Sequence, residues 1–139
     1  MRNKGFTLIE LLAVIVILAI IALIATPIVL GIINDSRKSA DDETTKLISS
    51  NFGFAYQSAY MTNSGVEPTL NEVMAKFNMD NITVTPEPSS SNTGEYTITS
   101  SSKNVVCTTT TTGIRVKLTC TVNNEPFDEA DNEITIKAN

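Results

Sequence analysis

The chain of 139 residues contains no histidine. Its absence removes the usual general base and the commonest metal ligand. There are only two cysteines, Cys107 and Cys120, and neither has a plausible partner for nucleophilic catalysis. No enzyme activity and no cofactor are therefore expected. Basic residues are scarce as well: ten Lys and Arg stand against fifteen Asp and Glu, for a net charge of −5. A general nucleic-acid surface normally shows a basic patch, and Lys103, Arg115 and Lys117 are too few to form one. Direct nucleic-acid binding is not expected. The acidic run Asp128-Glu129-Ala130-Asp131-Asn132-Glu133 lacks the spacing and glycine of an EF-hand and reads as a solvated loop rather than a metal site. Asn81-Ile82-Thr83 has the form of a glycosylation sequon, discounted because Ile82 reads as a core strand residue. No internal repeat and no second globular domain are visible.

What is abundant is apolar sequence near the start. Leu11 to Ile33 is free of charge over 23 residues, long enough to span a hydrocarbon core of about 30 Å. Arg2 and Lys4 are the only charges before it apart from Glu10. A basic flank stays cytoplasmic, which predicts insertion with the N-terminus inside and the C-terminus outside. A secretory signal would end its shorter apolar stretch at a small-residue site. Ala22-Leu23-Ile24-Ala25 is a poor version of one, and the apolar character continues past it. Glu10 is the anomaly. A carboxylate at the centre of a membrane helix costs roughly 2.5–3.5 kcal/mol, so such a residue signals function; the alternative is a side chain near the interface reaching out to water.

The string Lys4-Gly5-Phe6-Thr7-Leu8-Ile9-Glu10-Leu11-Leu12 resembles the processing signature of the type IV prepilin and pseudopilin family. The resemblance implies a leader cut after Gly5, N-methylation of the exposed Phe6, and an assembly role for Glu10. Pro27 falls where the family often places a helix-loosening proline, whereas Ala19 stands where many members have glycine. The match covers about residues 4 to 35. It implies a leader at 1–5, a membrane and filament-core helix at 6–33, and an amphipathic helix with a globular head at 34–139. Implied partners are other copies of the chain in a helical homopolymer, a prepilin peptidase, an assembly ATPase and a platform membrane protein.

Charge chemistry gives Glu10 a mechanism in that setting. The amine of a cleaved Phe6 would be positive at neutral pH, and a neighbour's Glu10 could pair with it. Two buried charges tolerate each other far better than either tolerates isolation, so the pair would set axial register. Pro27 removes one helix hydrogen bond and crowds the carbonyl of Leu23. Gly31 weakens the same segment, and kinking or melting would share that cause.

Beyond the membrane the helix is expected to reach about Met61, roughly 84 Å from Phe6. Leu47, Ile48, Phe52, Ala55, Tyr56 and Ala59 form an amphipathic stripe, and Asn63-Ser64-Gly65 a stop. Phe6, Phe52, Phe54, Tyr56 and Tyr60 lie on this helix and are expected to pack rather than conduct electrons. Thr69-Leu70-Asn71-Glu72 fits a capping box opening a short helix to about Phe77. Five strand-like segments follow, marked by Ile82 and Val84, by Tyr96 and Ile98, by Val105 and Cys107, by Ile114 through Val122, and by Ile134 and Ile136. Pro86 to Gly94 and Asn123 to Asn132 read as loops. Each strand has one apolar face, which describes an antiparallel sheet covered on one side. The expected class is α+β, the type IV pilin fold.

Cys107 and Cys120 share the core-facing side of adjacent strands and would meet an oxidising compartment, which favours a disulfide. A loop near 15 residues makes such a bridge worth about 3 kcal/mol. A turn at Thr112-Gly113 would place Cys107 opposite Leu118, one step out, to be repaired by a bulge or a longer turn. Two buried free thiols are the alternative. Three functions fit these features: a major pilus subunit, foremost; a pseudopilin for secretion or competence; and a minor pilin binding a ligand at the tip. The precursor would be a single-pass membrane protein and the assembled form extracellular.

Overall fold

A computed structural model of the chain describes residues 5–86 and 95–136. Arg2 and Lys4 of the basic flank, and 87–94 of the loop expected after Pro86, lie outside the described residues. The architecture is α+β. Its elements are helix α1 (Leu8–Thr62), helix α2 (Leu70–Lys76), and strands β1 (Ile82–Pro86), β2 (Tyr96–Ser100), β3 (Val105–Thr112), β4 (Arg115–Val122), β5 (Glu125–Pro126) and β6 (Asn132–Thr135). Two compact units are present, Met1–Lys38 and Ser39–Asn139, and α1 contributes to both. The second unit is called the head below.

Every buried residue of α1 lies between Thr45 and Ala59. Ile48, Phe52, Ala55 and Ala59 recur at four- and three-residue steps, so they share one face and enter the core. Leu47, expected in this stripe, falls off that rhythm and is 51% exposed; Thr45 takes the buried place instead. A buried hydroxyl needs a partner, and Thr45 Oγ1 donates to the carbonyl of Asp41 at 2.8 Å. The helix starts at Leu8 rather than Phe6, for a reason given with the site below.

The helix ends in a Schellman motif. Gly65 N–H donates to the carbonyl of Tyr60 at 3.0 Å and Ser64 N–H to that of Met61 at 3.2 Å, the paired bonds that satisfy orphan carbonyls at a helix end. The left-handed position of the motif falls on Ser64 (φ 57°), ahead of Gly65 (φ 82°). α2 opens with the expected capping box: Thr69 accepts from Glu72 N–H, and the Glu72 side chain accepts from Thr69 N–H at 2.7 Å.

The sheet runs β1-β2-β3-β4-β5, with β6 also paired to β4, and every pairing is antiparallel. Ile98, Val105, Cys107, Val116, Leu118 and Cys120 point to the helix side and form one core with Ile48, Phe52, Val73 and Met74. Two expectations about the strands need correction. The β3–β4 turn is Gly113-Ile114, since Thr112 pairs with Arg115. Gly113 (φ 66°) then takes the first central position, where a two-residue turn calls for glycine. A turn one residue earlier would have put the β-branched Thr112 there. The shift brings Cys107 directly opposite Cys120 without a bulge, and the two are disulfide-bonded. It also moves Ile114 out of the core face to 49% exposure.

The other correction concerns Asn123 to Asn132, expected as a loop. Asn123 (φ 53°) and Asn124 (φ 68°) make a tight turn into β5, and a 3₁₀ turn at Asp128–Ala130 leads to β6. Asparagine tolerates that left-handed geometry, so the segment closes the sheet edge against β4.

Ser64→Gly is expected to stabilise the head by about 0.5–1 kcal/mol, since a non-glycine residue in the left-handed region carries strain. Thermal unfolding followed by circular dichroism of the detergent-solubilised chain reads this; a lower Tm would mean the serine side chain matters more than its backbone.

Candidate functional site

The site is the first part of α1, where apolar side chains meet a single acid. From Leu8 to Ile33 the large apolar residues of α1 are between 40% and 83% exposed, and Phe6 is 85% exposed. This is the one helix among the described residues long and apolar enough to cross a membrane, and no part of its apolar window is buried. Gly5 and Phe6 precede the helix. A side chain at Gly5 would meet nothing within 4 Å, so neither packing nor a positive φ calls for a glycine there.

Glu10 lies in the first turn and has a partner within the chain. Its Oε2 accepts from Thr7 N–H and from Thr7 Oγ1, both at 2.8 Å, while Glu10 N–H donates to the carbonyl of Thr7 at 3.1 Å. Thr7 Oγ1 sits 3.4 Å from Glu10 N. The pattern is a capping box, with a threonine at the cap and a glutamate three residues on. It explains why the helix begins at Leu8: Thr7 is held as its cap. Thr7 was missed in the sequence reading, although Thr7-Leu8-Ile9-Glu10 has the same spacing as Thr69–Glu72. The carboxylate was read for a partner in another chain or for interfacial water, not for one three residues away.

Gly5 and Phe6 thus lie immediately before Thr7, the cap that partners Glu10. Pro27 lies well inside α1, which continues through it. Proline deprives the Leu23 carbonyl of its helical donor. One residue before the proline, Thr26 Oγ1 donates to the carbonyl of Ala22 at 2.6 Å. Cys107 and Cys120 belong to the head core, 0% and 3% exposed, and take no part in this site.

The acidic 128–133 run does not converge on a common centre. Glu129 pairs with Lys46 at 2.9 Å, Asp131 with Lys117 at 2.7 Å and Glu133 with Arg115 at 3.3 Å. Lys46 also stands 5.9 Å from the centre of the Phe127 ring, and Asn132 Nδ2 donates to the carbonyl of Ser49 at 3.1 Å. These contacts latch the strap between β4 and β6 onto α1. The hydrogen bond and charge of Lys46 lower the Glu129 carboxyl, and those of Glu129 raise Lys46.

Residues 1–26 match the model of the prokaryotic N-terminal methylation motif, the signature of type IV pilins and pseudopilins. Neither the curated proteins nor the solved structures contain a match to the chain. The signature supports a structural subunit of the pilin or pseudopilin kind. With the long apolar helix, it fits a membrane-anchored precursor that is processed by a prepilin peptidase and passed to the assembly machinery.

Two outcomes are expected. Thr7→Val removes the capping hydroxyl, so amides at the start of α1 should exchange hydrogen several-fold faster in detergent; unchanged protection would mean the box does not hold the helix end. The strap should be sensitive to acid. A lowered Glu129 favours the folded state above the ordinary glutamate range, and that contribution disappears as pH falls through its folded value. The raised Lys46 acts oppositely, favouring the fold until pH climbs past the ordinary lysine range. In an acid titration of thermal stability, Lys46→Gln should remove the Glu129 part of the loss; an identical titration curve would contradict the latch.

Proposed function

We propose that this chain is the major, repeated subunit of a type IV pilus. Residues 1–5 are the leader, 6–33 the helix that anchors the precursor and then forms the filament core, and 34–139 the helix continuation and head. The precursor sits in the membrane with its N-terminus inside. The peptidase cuts after Gly5 and Phe6 is methylated. Glu10 then pairs with the Phe6 amine of a neighbouring copy, while Pro27 gives α1 a soft point as it leaves lipid for protein. An assembly ATPase and a platform membrane protein drive that transfer.

The observation that carries this reading is the wholly exposed apolar first part of α1 with one carboxylate at its start. In lipid, such a surface is solvated by acyl chains. Outside the membrane it needs other copies of itself, because large exposed apolar patches drive association. Among the described residues the donors to the Glu10 carboxylate are neutral ones, from Thr7. A cationic amine would be a stronger partner for it.

Immunogold electron microscopy with antibody against the head tests this. Label along long sheared fibres is expected, and Glu10→Ala should leave processing intact while markedly reducing labelled fibre. Label confined to tips or short stubs would make the chain a minor pilin or a pseudopilin instead. Normal fibres from Glu10→Ala would remove the pairing role of that residue.

A further inference from the structure

The head carries a groove that nothing in the filament reading uses. It measures about 400 Å³ and is lined by Tyr56, Gln57, Tyr60, Met61 and Gly65. The two tyrosine rings lie 6.2 Å apart at an angle of 31°. Gly65 leaves bare backbone beside the Tyr60 ring; a Cβ there would stand 3.7 Å from its hydroxyl. Glu67, exposed two residues past Gly65, follows the groove in the chain, and the Tyr56 phenol is raised by burial, by Glu67 and by Tyr60. Two aromatic faces beside a carboxylate make a site for an organic cation.

A cation of the right kind stands at the other end of the head. Lys103 is exposed in the β2–β3 turn, at φ 61°, with its N–H bonded to the carbonyl of Ser100 at 2.8 Å. The next residue fixes that turn against α1: Asn104 Nδ2 donates to Asp41 Oδ2 at 3.0 Å. Tyr56 lies about 22 Å further along the helix from Asp41, and Tyr60 about 28 Å. The ammonium therefore cannot reach the groove of its own copy. Among the described residues Lys46, Lys117 and Arg115 have carboxylate partners; Lys103, like Arg37, Lys38 and Lys76, forms no ion pair, and neither does Glu67.

We propose that the two ends of the head recognise each other between copies: Lys103 of one copy enters the Tyr56–Tyr60 groove of the next and pairs there with Glu67. The contact rests on the filament reading and deepens it. It joins different patches on the two partners, so it can repeat from copy to copy along an open filament. Charge at its rim selects register, because a misplaced neighbour would set Lys103 against other groups or leave it in water.

Sheared filaments of the unaltered chain, treated with a carbodiimide, test it. That reagent joins carboxylates and amines already in contact. Mass spectrometry of the digest should find a Glu67–Lys103 linked peptide, absent from the detergent-solubilised monomer. Filaments that cross-link elsewhere but never at this pair would overturn the contact and leave the filament reading standing. Failure of the unaltered chain to form filaments would remove that reading and the contact with it. Exchange of the charges gives a second readout with the Cys107–Cys120 bridge as a check on folding. Lys103→Glu and Glu67→Lys should each lower fibre yield roughly tenfold or more, and the double variant should recover most of it. Singles that assemble normally, or a double variant no better than either, would contradict the proposal.

Discussion

Water and an apolar helix face are incompatible over a length such as this, and the rest of the molecule is arranged around that conflict. The large side chains from Leu8 to Ile33 remain 40–83% exposed, although burying one such side chain fully is worth about 1.5–3 kcal/mol. The buried residues of α1 begin only at Thr45. On the proposed reading the solvent of the exposed side chains comes from outside the chain, first as lipid and then as other copies. Glu10 would then turn this undirected attraction into a positioned one, because a carboxylate restricts where an apolar helix can slide.

The capping box adds a second state to that picture. In the isolated chain Thr7 satisfies Glu10 with its backbone N–H and its hydroxyl, so the acid is not left bare before a neighbour arrives. An intermolecular amine would have to improve on those two neutral donors. A charge-assisted bond does so. On the proposed reading, the motif that starts the helix would hold Glu10 until its stronger partner is present.

The long apolar helix and the methylation motif were legible because they depend on local patterns: a long charge-free run and a short motif around Gly5 and Phe6. α2 was legible for the same reason through Thr69 and Glu72. What escaped depended on non-local competition. Leu47, expected in the stripe, is exposed while Thr45 is buried, because the core is filled by the row from Ile48 to Ala59 and Thr45 continues it. The β3–β4 register hung on which side of Gly113 the turn fell, and one residue decided whether Cys107 faced Cys120 or Leu118. The segment after Val122 looked like a loop because β5 has two residues and β6 four. Its placement comes from pairing with β4 and from the Lys46, Lys117 and Arg115 contacts, none of which is a local signal.

Cryo-electron microscopy of sheared filaments, at a resolution that shows side chains, tests the central claim most directly. The account predicts Leu8 to Ile33 packed against the same segment of other copies, with each Glu10 carboxylate in salt-bridge contact with a neighbour's Phe6 amine. Filaments in which that segment faces solvent, or in which Glu10 keeps Thr7 as its sole partner, would contradict it.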